Sequence, residues 1–293
     1  MDLSLMKLKA FRVLVQKELE FSPFLVAENR CVSESEWITL FFLEKKLKKK
    51  LKKSDLFFHQ DEEMSPWIEQ AIQLSQSRVK GVPLQYLLGE QEFYELTFDV
   101  GPGVLVPRPE TEELVDLIIN TLNHPLKGLE LGLGSGAISI SLLNHFEKLE
   151  MVGTEASKDA LVWVKKNREK LLKNPNRLII SHSSSDEVFE NINGTFDFIV
   201  SNPPYLGRED DVDSDVLAQE PKVALYPESE DPLYFYKKIK DQYQRLLKSG
   251  GFLFLEISSL RAKETEALFL ENSEVECFLD RSKRPRILKI RKK

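Results

Sequence analysis

Two short stretches of the chain carry residues whose types and order suit chemistry. The first is Glu130-Leu131-Gly132-Leu133-Gly134-Ser135-Gly136, followed nineteen residues beyond Gly136 by Glu155. Glycines so placed, between a strand and a helix, let the backbone turn tightly and approach a ligand with no Cβ in the way. Free N–H groups at the start of the following helix would favour an anionic group, such as a carboxylate or pyrophosphate. An acidic side chain at the end of the next strand can accept hydrogen bonds from both hydroxyls of a ribose. A nucleoside-bearing cofactor is therefore expected on Gly132, Leu133, Gly134, Ser135, Gly136 and Glu155. Gly132, Gly134 and Ala137 also satisfy the G-x-G-x-x-G/A dinucleotide spacing, so these residues leave a nicotinamide dinucleotide and S-adenosylmethionine both open.

The second stretch is Asn202-Pro203-Pro204-Tyr205, which ends the apolar run Phe196–Ser201. Consecutive prolines cannot continue a central strand, so they stiffen a loop at the carboxyl edge of a sheet, where open α/β folds place their ligands. The amide oxygen of Asn202 and the carbonyl of Pro203 can both accept hydrogen bonds from a planar NH₂ group, and Tyr205 offers a face for stacking. An amide or aryl amine nitrogen is a poor nucleophile because its lone pair is delocalised. Two acceptors holding both N–H bonds favour the tetrahedral nitrogen that develops as it attacks an electrophilic methyl group. Catalysis of this kind is positioning plus electrostatics, with no metal or strong general base required. Asn202, Pro203 and Tyr205 are the expected catalytic residues, Asn202 to Tyr205 the expected substrate-binding segment, and Asn202 also an expected cofactor neighbour.

Competing chemistry is not evident. The sequence has no Ser nucleophile elbow, no HExxH and no P-loop lysine, and His59, His124, His145 and His182 stand apart from one another. Cys31 and Cys277 cannot build a disulfide framework or a paired-Cys zinc site. With 41 basic and 47 acidic side chains, a net charge of -6 argues against a whole-chain electrostatic grip on nucleic acid. Basic clusters do occur at Lys45–Lys53 and from Arg281 to the end, opposed by an acidic run at Glu209, Asp210, Asp211, Asp213 and Asp215 that reads as a solvated, mobile segment. The first residues lack an apolar leader with a small-residue cleavage site, and no apolar run reaches membrane-spanning length, so a cytoplasmic location is expected.

The elements that must position these residues follow from periodicity. Leu8, Phe11, Leu14, Val15 and Leu19 recur with a 3.6 period, and Leu43, Leu47 and Leu51 extend a helical pattern through the lysine cluster. Ser65-Pro66 predicts an N-cap and a helix to about Lys80, stopped by Gly81. Residues 1–80 are thus expected to be a small all-helical domain, and 81–110 a hairpin-like linker. From 111 to 293 short apolar strands alternate with helical patterns, the signature of a Rossmann-like, mostly parallel sheet covered by helices. Ser249-Gly250-Gly251 predicts a left-handed helix C-cap before the Phe252 strand. Val275–Leu279 and Arg286–Ile290 predict a closing antiparallel hairpin.

At the Asn202–Tyr205 loop the chain resembles S-adenosylmethionine-dependent methyltransferases of the NPPY type, which methylate glutamine amides or exocyclic amines of nucleobases. A further block narrows this: Gly81–Gly89, Glu92-Phe93-Tyr94, and Gly103-Val104-Leu105-Val106-Pro107-Arg108-Pro109-Glu110-Thr111-Glu112 closely resemble the linker of the release-factor glutamine methyltransferase family, PrmC/HemK. Glu220-Pro221 and Ala224-Leu225 echo the family's segment after the active-site loop. The resemblance covers about residues 75–257. It implies a class I methyltransferase fold, S-adenosylmethionine as cofactor with S-adenosylhomocysteine as product, and methylation of the side-chain N5 of glutamine in the Gly-Gly-Gln motif of a peptide chain release factor. It also implies that the N-terminal helical domain helps hold the release factor, with no membrane partner, no direct nucleic-acid substrate and a monomeric chain.

Departures from the family pattern are confined. Glu155 stands where the family usually has Asp, and either carboxylate reaches ribose hydroxyls. Ser181–Asp186 replaces an Asp followed by an apolar residue against adenine, which leaves the adenine pocket unassigned, and Ala224–Asp231 replaces a Gly-rich stretch. The alternatives are an amino methyltransferase acting on adenine or guanine in DNA or RNA, and a non-catalytic module that binds the release factor or ribosome.

Overall fold

The fold was obtained as a computed structural model that describes residues 5–184, 188–189, 192–207, 210, 220–227 and 229–293. The chain divides into two compact units, one holding Met1–Gly89 and the other Glu90–Val212 with Glu220–Lys293.

The first unit is helical. Helices α1 (Leu8–Leu19), α2 (Pro23–Ala27), α3 (Cys31–Leu47), α4 (Ile68–Val79) and α5 (Leu84–Leu88) surround a core of Phe11, Val15, Leu19, Ile38, Phe42, Leu43 and Ala71. On α1 the buried Leu8, Phe11, Val15 and Leu19 lie on one face, as their three- and four-residue spacing requires. Three expectations need correction. The lysine cluster is not one helix: α3 ends at Leu47 because Lys48 turns left-handed with φ of 54° and the Glu44 carboxylate captures the Leu51 N–H at 2.8 Å. Continuing the helix would have stacked unrelieved like charges four residues apart. Ser65 does not cap α4, since its hydroxyl accepts from the Met6 N–H and Ser65–Trp67 forms a 3-10 turn before α4 begins at Ile68. Leu84–Leu88, expected as part of an extended linker, is helical and ends at Gly89, where φ is 81°.

The second unit opens with a hairpin, β1 (Glu90–Phe93) and β2 (Leu96–Asp99). Its turn residues Tyr94 and Glu95 both have positive φ, the twist a two-residue hairpin needs, and Glu112 accepts from the Tyr94 N–H at 2.9 Å. Asn167 on α8 (Lys158–Leu171) docks the hairpin, accepting from Asp99 N and donating to Asp99 O. Helix α6 (Pro109–Thr121) then leads into the main sheet of β3 (Lys127–Leu131), β4 (Glu150–Glu155), β5 (Leu178–His182), β6 (Phe196–Ser201), β7 (Leu247–Glu256), β8 (Ser273–Leu279) and β9 (Pro285–Lys292), with α7 (Ala137–His145) between β3 and β4. The strand order is β5-β4-β3-β6-β7-β9-β8; the first five strands are parallel and β9 runs antiparallel to both β7 and β8. The chain winds outward from β3 through β4 to β5 and returns to β6 on the other side, so the carboxyl ends of β3, β4 and β6 meet at a topological switch point.

Leu129, Ile199, Leu253, Leu255, Leu288 and Ile290 from the strands pack with Tyr236, Ile239, Tyr243 and Leu246 of the Tyr234–Leu246 helix. That helix ends at Leu246 on an extended Leu247, not on a glycine cap; Gly250, with φ of 72°, lies inside β7 where its pairing with β6 skips from Leu247 to Phe252. The basic tail is mostly a strand: in β9, Arg286 donates to Asp280, Lys289 pairs with Glu276 and Lys292 donates to main-chain carbonyls. Asp210 is not solvated either, because Arg261 grips it bidentately with both contacts at 2.7 Å. The remaining members of that acidic run, Glu209, Asp211, Asp213 and Asp215, lie outside the described residues, as does Asp186. No helix among the described residues is long and apolar enough to cross a membrane.

Candidate active site

A cleft opens at the carboxyl ends of β3, β4 and β6. It is lined by Gly132 and Gly134 from the first loop, by Glu155, Ala156 and Ser157 after β4, and by Asn202, Pro203 and Pro204 after β6. Two motifs some seventy residues apart are thus brought to one cavity by the parallel pairing of β3 with β6.

Within the glycine loop the residues divide by role. Gly132 and Gly134 have φ of 78° and 54°, and a Cβ on either would meet nothing within 4 Å, so both leave open space toward a ligand. Leu133 is buried, with its side chain filling the space left by Gly153. Ser135 is buried too, its carbonyl accepting from Asn167, and Gly136 permits close packing on Ile140 and Val164. These three shape the loop without lining the cleft. Within the glycine segment, Gly132 and Leu133 donate to Thr154 O, Gly134 to Glu155 and Gly136 to Leu133 O. The loop supplies room, and these four donors fix its shape.

Glu155 is the polar anchor. Its Oε2 accepts from Gly134 N at 2.7 Å and its Oε1 from Ser157 N at 2.8 Å. The Ala156 N–H also bonds this carboxylate, and its remaining acceptor capacity is open to a ribose hydroxyl. Burial pushes its pKa up, while the Ser157 and Gly134 N–H bonds and His182 oppose the shift. A carboxylate already seated against this loop makes it a poor seat for a pyrophosphate and a suitable one for a neutral ribose. Glu130, deeper in β3, faces away from this work: it accepts from the N–H and hydroxyl of Ser139 and so holds the first turn of α7.

The Asn202–Tyr205 loop is fastened from below. Ser201 donates to Leu131 O at 2.8 Å, tying the ends of β6 and β3. Asn202 donates from Nδ2 to the Thr111 hydroxyl at 3.3 Å, and Thr111 donates to Glu256 at 2.8 Å. Tyr205 is not among the residues lining the cleft. It packs against the main core and its hydroxyl reaches Glu256 at 3.4 Å, with burial and the Glu256 charge holding the phenol well above its ordinary pKa. Asn202, Pro203 and Pro204 therefore reach the cleft, and Tyr205 braces their loop.

Several further residues line the cleft without having been assigned a site role from the sequence. Val188 and Phe189 form an apolar wall beyond β5, close in sequence to the stretch whose ligand role was unassigned. Gly103 and Leu105 enter from the Gly103–Glu112 block, and Pro221, Val223 and Ala224 from the short helix Lys222–Leu225. Arg108 holds that helix in place through Glu220, at 2.7 Å.

Comparison with known proteins agrees with this geometry. The family described as methyltransferase small domain matches residues 99–223. The chain is 34% identical over 260 residues to the release factor glutamine methyltransferase of Flavobacterium psychrophilum, covering 84% of this chain and 88% of that relative. The chain belongs to the release factor glutamine methyltransferase family. A second member, from Bacteroides thetaiotaomicron, is 39% identical over 182 residues, a match that spans 61% of this chain and 64% of the relative. Among solved structures, a methyltransferase from Pyrococcus furiosus superposes with a TM-score of 0.51 at 19% identity, covering 67% of this chain and 87% of its own, which supports the class I methyltransferase fold. Family membership removes the choice that the glycine spacing left open: the chain is an S-adenosylmethionine-dependent methyltransferase.

Proposed function

We propose that this chain transfers the methyl group of S-adenosylmethionine to the side-chain N5 of the glutamine in the Gly-Gly-Gln motif of peptide chain release factors. The observation that carries the reading is that Asn202 and Pro203 line the same cleft as Gly132, Gly134 and Glu155. Gly132 and Gly134 would give the cofactor room, Glu155 would take its ribose hydroxyls, and Val188 with Phe189 would cover the adenine face. When bound, the cofactor supplies an electrophilic methyl on a sulfonium sulfur.

The chain's own residues do the rest. Asn202 Oδ1 and the Pro203 carbonyl accept the two N–H bonds of the incoming amide, orient its nitrogen at the methyl and stabilise the positive charge that develops there. The nitrogen forms a bond to carbon, the carbon–sulfur bond breaks, and the nitrogen then loses one proton to solvent. The products are N5-methylglutamine and S-adenosylhomocysteine. In this reading residues 1–80 help hold the release factor, 81–110 link the two parts, 111–293 hold the cofactor, and the chain acts as a cytoplasmic monomer.

The test is incubation with methyl-labelled S-adenosylmethionine and an unmodified release factor, beside the same factor with its motif glutamine changed to alanine. Label on the first and not the second is expected. Label on neither overturns the reading and directs attention to ribosomal protein and oligonucleotide substrates.

A further inference from the structure

A buried carboxyl sits directly beneath the Asn202–Tyr205 loop and touches it through two hydroxyls. Glu256, at the end of β7, is 1% exposed. Its Oε2 accepts from Thr111 Oγ1 at 2.8 Å and its Oε1 from Tyr205 Oη at 3.4 Å, while its main-chain carbonyl accepts from Tyr236 Oη at 2.9 Å. Thr111 in turn receives Asn202 Nδ2 at 3.3 Å.

Counting protons along this chain fixes more than position. An ionised carboxylate can only accept. The single hydroxyl proton of Thr111 is therefore committed to Glu256, and toward Asn202 the Thr111 oxygen can act only as an acceptor. That forces the NH₂ end of the Asn202 amide onto Thr111. Oδ1 is left as the end presented elsewhere, and among the described residues nothing donates to it. A flipped amide would set its oxygen against the Thr111 oxygen with no proton between them, at the cost of a hydrogen bond and with like dipoles opposed.

We propose that Glu256 and Thr111 are positioning residues that set the polarity of the Asn202 side chain, so that the cleft meets an acceptor and not a donor. The inference deepens the proposed function, because a substrate NH₂ needs an acceptor, but the amide polarity itself does not depend on which substrate binds. It also explains why Thr111 of the Gly103–Glu112 block is bonded to a strand 145 residues away.

The arrangement has a built-in dependence on protonation. Burial pushes the Glu256 carboxyl up to about 7, opposed by the Thr111 hydroxyl, by Arg286 on β9 and by Tyr205, and reinforced by Glu110 on α6. Arg108 and Arg286 also face Tyr205, and the Tyr236 phenol is buried beside it. Once protonated, Glu256 can donate to Thr111, which frees the Thr111 proton for Asn202 Oδ1 and removes the constraint.

The experiment uses the full chain labelled with ¹⁵N-asparagine, with the Asn202 side-chain NH₂ pair assigned by its disappearance in Asn202→Ala. Well above the titration of Glu256, the wild type should show one Nδ2 proton in a slow-exchanging hydrogen bond. Thr111→Ser should retain it, and Thr111→Val should exchange about tenfold faster. Lowering the pH of the wild type through the Glu256 titration should move the pair through one transition, and Thr111→Val should lack it. In parallel, kcat for the release factor should fall about tenfold in Thr111→Val with cofactor KM unchanged, and Thr111→Ser should recover most of it. An Asn202 pair that is indifferent both to Thr111→Val and to pH overturns the proposal. A wild type that methylates no release factor overturns the proposed function instead, and the amide measurement still decides the polarity.

Discussion

Arg108 and Glu220 meet at 2.7 Å, with the carboxylate buried and the guanidinium partly exposed. The pair joins the Pro107-Arg108-Pro109 segment to the residue just before Pro221, and Pro221, Val223 and Ala224 line the cleft. Burial pushes the Glu220 carboxyl up, and the Arg108 guanidinium opposes that shift. Replacing Arg108 with Met should destabilise the fold by about 1–3 kcal/mol and lower kcat/KM by roughly tenfold as the lining helix loosens. Glu220→Gln keeps an oxygen for Arg108 and should cost less on both counts. Thermal unfolding and steady-state kinetics on the same preparations check this.

The two loops of the cleft should separate in their effects. Gly134→Val places a branched side chain where φ is 54°, straining the backbone by about 1 kcal/mol or more and filling the open space that the proposed function gives to the cofactor. Calorimetry with S-adenosylmethionine should show affinity reduced by at least about tenfold. Asn202→Ala leaves that loop untouched and deletes the acceptor proposed for the reacting nitrogen, so cofactor affinity should hold while kcat falls about a hundredfold. Equal losses of cofactor affinity in both variants would contradict the division of labour.

Much of this architecture is legible in the sequence because it rests on local signals. Short apolar runs such as Phe196–Ser201 become strands, and Pro203-Pro204 must end one. The failures share a physical cause: they depend on hydrogen-bond partners that no local pattern marks. Glu44 captures the Leu51 N–H and breaks the lysine helix, and Met6 takes the Ser65 hydroxyl away from its cap. Glu256 carries no motif of its own, and only the meeting of β7 with α6 and the Asn202 loop shows its place. Phe189 is equally silent, a lone aromatic residue outside any periodic run.

Stability should fall as pH rises through neutrality. Glu130 is fully buried and its carboxyl is pushed up to about 8 by burial, against the two Ser139 bonds and with Glu155 reinforcing the shift. Its native pKa thus lies above its unfolded value, so the native state holds more protons between about pH 4.5 and 8. Ionisation costs nothing below that window and accumulates as pH rises through it, on the order of a few kcal/mol in total. Glu256 adds to the same trend up to about 7. The unfolding midpoint of the wild type should therefore drop between about pH 5 and 9. Glu130→Gln, which can still pair with the Ser139 N–H through its amide oxygen, should flatten the slope. A wild-type midpoint that rises over this range would refute the assignment.

The helical unit contains a buried ion pair whose removal should be costly in one form and mild in another. Arg78 on α4 is 2% exposed and donates to Glu34 on α3 from Nε at 2.7 Å and from Nη2 at 3.2 Å. Arg30, a partly exposed residue, pairs with the same carboxylate at 2.8 Å. Desolvating both charges offsets much of their attraction, but removing one strands the other. Arg78→Met should destabilise the unit by about 3–5 kcal/mol, because Glu34 then stays buried with Arg30 as its remaining cation. Arg78→Met combined with Glu34→Leu should recover most of that loss, since no uncompensated buried charge is left and the same two helices supply apolar core residues such as Ile38 and Ala71. Hydrogen exchange of the α1, α3 and α4 amides reads the unit by itself, and a double variant no more protected than Arg78→Met would show that the pair contributes specific packing beyond its charge.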